Sequence, residues 1–340
     1  MSEITRESKP ATSKAKVWGL LALAFVLGLY LWSPQQATAT LSFVIGGMLD
    51  IAPLVIPGVL ASAWVNASGA GGQIARVFEG NRALAILAAA AVGAITPVCG
   101  VAILPLMAGL LASGVPLAPI MAFWLSSPVT DPAMFAVTAA TLGFDFAIGK
   151  TLAAFGIGLL GGAVTAALSA FAWTRAPLRQ SGLAAALGGG CCADAPFRLA
   201  IWKEQERRAQ FSREIWAMTK LLLVCLGFAF AAEHLMHELL APQALAAYVG
   251  SQSKWAVPLA VFVGAPAYLD GYAALPLTRG LIDHGMSPGA AMAFLVSGGV
   301  VSIWGALAIV PVLRTKPFLL YLTLAVAGSL AAGWLFDLAA

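Results

Sequence analysis

The sequence predicts an all-α polytopic membrane protein with about seven full spans plus two re-entrant helical hairpins, arranged as an inverted internal repeat. Three observations carry this reading. The residue types AVILMFWYC make up 60% of the 340 residues and charged residues only 10%, against about 45–50% and about 25% in soluble chains. The few basic residues sort to one side only if two long apolar blocks turn back on themselves. The chain also matches itself at an offset of 171 residues. The charge content is too low for a soluble enzyme, and the apolar content too high for disorder. A net charge of +4, placed as it is here, gives no reason to expect nucleic acid as a partner. Four cysteines do not make a disulfide scaffold.

Residues 1–16 form a polar, cytoplasmic N-terminal tail. Residues 17–40 read as an additional first span, 17–32, and an outer loop. A secretory signal processed near Ala37-Thr38-Ala39 is the competing reading. Apolar blocks follow at 41–65, 83–113, 116–140, 145–173, 214–236, 255–283, 287–312 and 317–337. A span needs about 20 residues, and most blocks fit one. Blocks 83–113 and 255–283 are too long, and each is interrupted near its middle. The interruptions are Thr96-Pro97-Val98-Cys99-Gly100 and Pro266-Ala267-Tyr268-Leu269-Asp270-Gly271. Proline removes a backbone donor and glycine permits a reversal.

The one long polar connection, 174–213, holds Arg175, Arg179, Arg198, Lys203, Arg207, Arg208 and Arg213. Such a loop belongs in the cytoplasm. If every block crossed once from an inside N-terminus, this cluster would lie outside. If 83–113 and 255–283 are hairpins, about 16 of the 19 basic residues face inside. Lys150, Lys254 and Arg279 remain as exceptions. The stretch 201–216 is expected to include a surface helix that leads into the sixth span.

At the 171-residue offset, 15 of 37 positions from Gly93 to Val129 are identical to those from Gly264 to Val300. Leu104-Pro105-Leu106 meets Leu275-Pro276-Leu277, and Met121-Ala122-Phe123 meets Met292-Ala293-Phe294. Repeat one, 41–173, carries hairpin 83–113. Repeat two, 214–340, carries hairpin 255–283. The first begins outside and the second inside, the inverted arrangement of many secondary transporters.

Broken elements leave backbone groups free, which can serve a polar solute near mid-membrane. At the hairpin tips Cys99 corresponds to Asp270, each before a glycine, Gly100 and Gly271. Cys99 is a soft ligand as thiolate or a small core residue. Asp270 binds a cation or carries a proton, with Tyr268 and Tyr272 beside it. A second pair of breaks is Ser126-Ser127-Pro128-Val129-Thr130-Asp131-Pro132 and Ser297-Gly298-Gly299-Val300-Val301-Ser302. Ser126, Ser127, Thr130 and Asp131 are candidates for a cavity wall. The alternative for Asp131 is that it only satisfies freed backbone donors. Asp50, in a block bent by Pro53 and Pro57, is a candidate for the cavity or for a proton path.

Cys191 and Cys192, in the inside loop, either capture a thiophilic compound or are plain reduced thiols. Cys225 reads as packing. His234 and His237 with Glu233 and Glu238 read as a wet helix end. Gly158 and Gly162 read as a close-packing face. No metal site and no cofactor are expected. There is no nucleotide-binding loop, zinc-hydrolase helix or nucleophile elbow, so catalysis is not expected. Any transport must use a gradient or another subunit.

The stretch from Thr96 to Leu106 resembles the first signature of the predicted-permease family that includes bacterial organoarsenical efflux permeases. The stretch Ser126 to Pro132 is similar to that family's Ser-Pro-x-x-x-Pro signature. The resemblance covers roughly 40–337. It implies gradient-driven export of trivalent organoarsenicals held by cysteine thiols, in a bacterial cytoplasmic membrane. Cys99 matches the first cysteine of the family's Pro-x-Cys-x-Cys pattern, while Val101 stands where the second would be. The expected function is a secondary-active permease for a small solute in the lipid bilayer. Another small anion, a metal, a sulfur-containing solute or a passive channel are the alternatives. A coupling proton or ion, and a homo-oligomer, are left open.

Overall fold

A computed structural model describes residues 34–70, 81–96, 103–112, 114–179, 197–239, 255–267, 274–301, 309–310 and 312–339. Among these residues the protein is helical throughout, apart from turns and an antiparallel bridge between Leu178 and Leu313. Helix α1 (Pro34–Ser68) carries Pro53 and Pro57 inside it. Helix α2 (Arg82–Ile95) starts at Asn81, whose side chain accepts from the N–H groups of Ala83 and Leu84 at 3.0 and 3.4 Å. It stops at Thr96, which is extended. Pro97 explains the stop, because a residue before proline is pushed out of the helical region. Helix α3 (Leu104–Ala112) follows.

The block 116–140 is broken. Helix α4 (Leu117–Ser126) ends ahead of Pro128, and α5 (Pro132–Leu142) restarts with proline in its first turn. Asp131 caps α5 by accepting from the N–H groups of Ala133 and Met134 at 2.8 and 2.9 Å. Gly143 turns the chain at φ 104° into α6 (Phe144–Ala167). A 3-10 turn and the short α7 (Ala172–Arg175) close the first half.

Helix α8 (Gln205–Leu239) runs unbroken for 35 residues. The expected surface helix and the span after it are therefore one element. Helices α9 (Ala256–Ala267), α10 (Ala274–Asp283), α11 (Pro288–Val300) and α12 (Thr315–Ala339) follow. Two helical stretches among the described residues are long and apolar enough to cross a membrane: Phe144–Ala170 and Thr315–Ala339. Helices α4 and α5 are too short to do so separately, with 10 and 11 residues.

Packing separates two sub-bundles. Helix α2 packs on α4 and α6, and α4 on α6; likewise α9 packs on α11 and α12, and α11 on α12. The sub-bundles meet through α6 against α12, and α1 lies along α8. Positions related by the 171-residue offset have the same local structure. A Cβ at Gly93 would strike the Ser126 hydroxyl and lie 2.7 Å from the Phe123 carbonyl. One at Gly264 would lie 2.6 Å from the Ser297 hydroxyl and 2.7 Å from the Phe294 carbonyl. Only glycine allows this approach. After α3, Gly114 at φ 91° closes a Schellman turn, with Val115 N–H bonded to Leu110 at 3.0 Å. After α10, Gly285 at φ 99° does the same, with Met286 N–H bonded to Leu281 at 3.0 Å.

Polar contacts tie the helix ends. Near the start of α12, Arg179 and Arg314 exchange backbone bonds with Val312 and Pro177, each at 2.8 Å. Between the end of α1 and the start of α8, Arg198 N–H bonds Ser68 at 3.0 Å, and buried Arg207 donates to the Ala67 carbonyl at 3.0 Å. Asn66 donates to Glu214, only 2% exposed, tying α1 to α8. At the other ends of these helices Thr40 on α1 meets His234 on α8 at 3.0 Å, and Asp337 on α12 accepts from Gly289 N–H at 2.6 Å.

Candidate functional site

The breaks between α4 and α5 and at the end of α11 come together around a small cavity. Its walls are Pro128, Val129, Met134, Lys150, Gly264, Ala274, Phe294, Leu295, Gly298 and Gly299. Its volume of about 20 Å3 is enough for one water molecule. The packing is close: a Cβ at Gly299 would lie 2.8 Å from the Pro128 carbonyl. The two halves thus meet here backbone to backbone.

Lys150 is the chemically distinctive group of this site. It sits in the second turn of α6 and is only 3% exposed. Its nearby charge is Asp131, with which it interacts electrostatically. No hydrogen bond or ion pair holds Lys150 among the described residues. Sequence reading counted Lys150 only as an exception to the charge sorting. The available signal was a lysine inside an apolar stretch, and an intramembrane ionisable residue is by default a functional candidate.

Of the residues singled out in sequence, Ser126, Ser127 and Thr130 are buried beside the cavity without lining it. Ser126 spends its hydroxyl on its own helix, donating to Ala122 and Phe123 at 3.0 and 3.1 Å. Asp131 is half-buried, capping α5 while facing the charge of Lys150. Asp50 is exposed on α1 and does not line the cavity. Cys99, Gly100, Cys191, Cys192, Tyr268, Asp270 and Gly271 lie outside the described residues. Among the described residues no cluster of three or more His, Cys, Asp or Glu can hold a metal ion.

The backbone freed at the breaks is partly accounted for. Tyr321 on α12 donates to the Val300 carbonyl at 2.5 Å. Its ring lies 4.8 Å from that of Trp124, whose buried indole N–H has no partner among the described residues. Gly158 and Gly162 pack α6 against α4 and α2, with a Cβ at Gly158 2.7 Å from the Ala122 carbonyl. His234 is half-buried, against the Phe43 ring.

Among the described residues the chain is helical, with broken helices around a buried charge, a feature that membrane transporters use. The family model described as predicted permease matches residues 36–338, and the chain belongs to this ArsP-like permease family. It is 32% identical over 135 residues to UPF0718 protein MJ0584 of Methanocaldococcus jannaschii, covering 40% of the chain and 37% of that protein. It is 34% identical over 91 residues to UPF0718 protein YcgR of Bacillus subtilis, covering 27% of the chain and 31% of that protein. The matched regions thus span about a third of each relative's length. No solved structure matches the chain.

Proposed function

We propose that this protein is a secondary-active permease that moves a small solute past the broken elements around Lys150. The observation that carries the reading is the buried lysine in a cavity walled by both halves of the chain. Matched glycine turns and close approaches support the internal repeat. Two separate clusters, 66–68 with 198 and 207, and 177–179 with 312–314, each carry arginine, which suits a common inner face in a topology of seven spans and two hairpins. With the tail 1–16 also inside, the protein is a multi-pass component of a bacterial cytoplasmic membrane. The hairpin tips supply Cys99 and Asp270, with Gly100, Tyr268 and Gly271, to the same path. Ser126, Ser127, Thr130 and Asp131 shape the break, Asp50 belongs to a proton path, and Cys191 with Cys192 deliver thiophilic cargo.

Two solute chemistries follow. A soft trivalent organoarsenical would be held by Cys99, because thiolates are soft donors. A small anion is favoured by the buried charge of Lys150, which attracts negative charge most strongly away from water. Reconstituted proteoliposomes separate them. Gradient-driven flux of phenylarsenite that is lost in Cys99→Ser supports the thiol route. Flux of a small oxyanion lost in Lys150→Met supports the anion route. Flux that only equilibrates and ignores an uncoupler would establish a channel instead.

A further inference from the structure

A second, larger cavity lies in the first half, about 550 Å3 in volume, between α2, α4 and α6. It shares no wall residue with the Lys150 cavity. Along α6 the two are separated by the 15 residues from Lys150 to Thr165, about 22 Å of helix. Arg82 opens onto it from the start of α2, and Arg175 from the end of α7. Both are exposed, and neither has an acidic partner or hydrogen bond among the described residues. No wall residue is acidic. The rest of the wall is mixed, with Ile86, Leu111, Leu117 and Pro119 beside Thr165, Ser169 and Thr174. Beside it, Phe171, exposed, stacks on Trp173 with centroids 6.4 Å apart, as aromatic side chains do at a membrane interface.

We propose that this cavity binds the phosphate headgroup of an anionic phospholipid. Two guanidiniums reaching one opening from separate helices can grip a phosphate from both sides. The Thr and Ser groups of the wall can bond further phosphate oxygens, and its apolar residues suit the start of acyl chains, a contact that a soluble anion does not use. The volume falls within the roughly 300–1,000 Å3 of small-molecule sites. Basic pockets between membrane helices are suited to such headgroups. The inference uses the proposed inner-face placement of Arg82 and Arg175, and it is independent of what is transported.

The test is native mass spectrometry of the purified full-length protein, titrated with phosphatidylglycerol, phosphatidylcholine or inorganic phosphate. Phosphatidylglycerol should be retained about tenfold over phosphatidylcholine. Arg82→Gln with Arg175→Gln should reduce that preference to about twofold, while Lys203→Gln with Arg208→Gln, elsewhere on the same face, should leave it intact. Ser169→Phe, which narrows the cavity and keeps both charges, should also reduce it and serves if the arginine variant does not fold. An unchanged preference in these cavity variants overturns the proposal. Inorganic phosphate that binds alone and displaces the lipid overturns the lipid assignment in favour of a free anion. The readout is binding, so a failure here is distinct from a failure of transport.

Discussion

Asp131 serves two tasks at once. Asp131 satisfies two backbone N–H groups at the start of α5 and faces the charge of Lys150. Asn at 131 keeps an acceptor for the cap and removes the charge. Asp131→Asn should therefore lower flux in proteoliposomes while its melting temperature stays near the parent's. Asp131→Ala removes the cap as well and should cost about 1 kcal/mol of stability. Lys150→Met fills similar volume without charge and should fold at least as stably, since an unpaired buried cation is costly. Flux should nonetheless be lost, as followed in the same vesicles; undiminished flux would leave Lys150 with no part in transport. The sequence displayed Asp131 plainly, between two prolines, whereas Lys150 stood only as an exception to the charge sorting. Its burial depends on Gly264, Ala274 and Gly298, more than 100 residues away, and no local pattern reports that.

The helices themselves were largely legible because their ends are written in local chemistry. Pro97 ends α2, Pro128 ends α4, Asp131-Pro132 starts α5, and Ser287-Pro288 starts α11. What local chemistry did not show was the unbroken length of α8, where polar residues from Gln205 continue into an apolar stretch. The repeat makes a prediction at this scale. Gly93→Ala and Gly264→Ala press a methyl into equivalent serine and carbonyl neighbours, so each should cost about 1–3 kcal/mol. Gly114→Ala and Gly285→Ala meet open space but need positive φ, and should each cost about 1 kcal/mol. Melting temperatures of the four variants should fall in two matched pairs. Unequal effects within a pair would mean that the structural likeness has no energetic counterpart.

At the scale of the whole molecule, the two halves are clasped as well as stacked. Leu178 pairs with Leu313, and Arg179 donates its side-chain N–H to the Leu313 carbonyl at 3.1 Å. With the native cysteines replaced by serine, Leu178→Cys and Leu313→Cys should cross-link on oxidation, since paired strands hold Cα atoms within disulfide reach. The product should be visible as a faster-migrating band. An impermeant thiol reagent outside intact cells should not block it if this face is cytoplasmic. The clasp and the α6–α12 contact also set an order of assembly. Helix α6 leaves the ribosome well before α12, and the second-half residues that wall in Lys150, Gly264 to Gly299, are made more than 100 residues after it. During that interval a charged side chain lies within the membrane with no finished chamber around it. A nascent chain cut short after the first half would keep Lys150 without the wall that Gly264, Ala274, Phe294 and Gly298 supply.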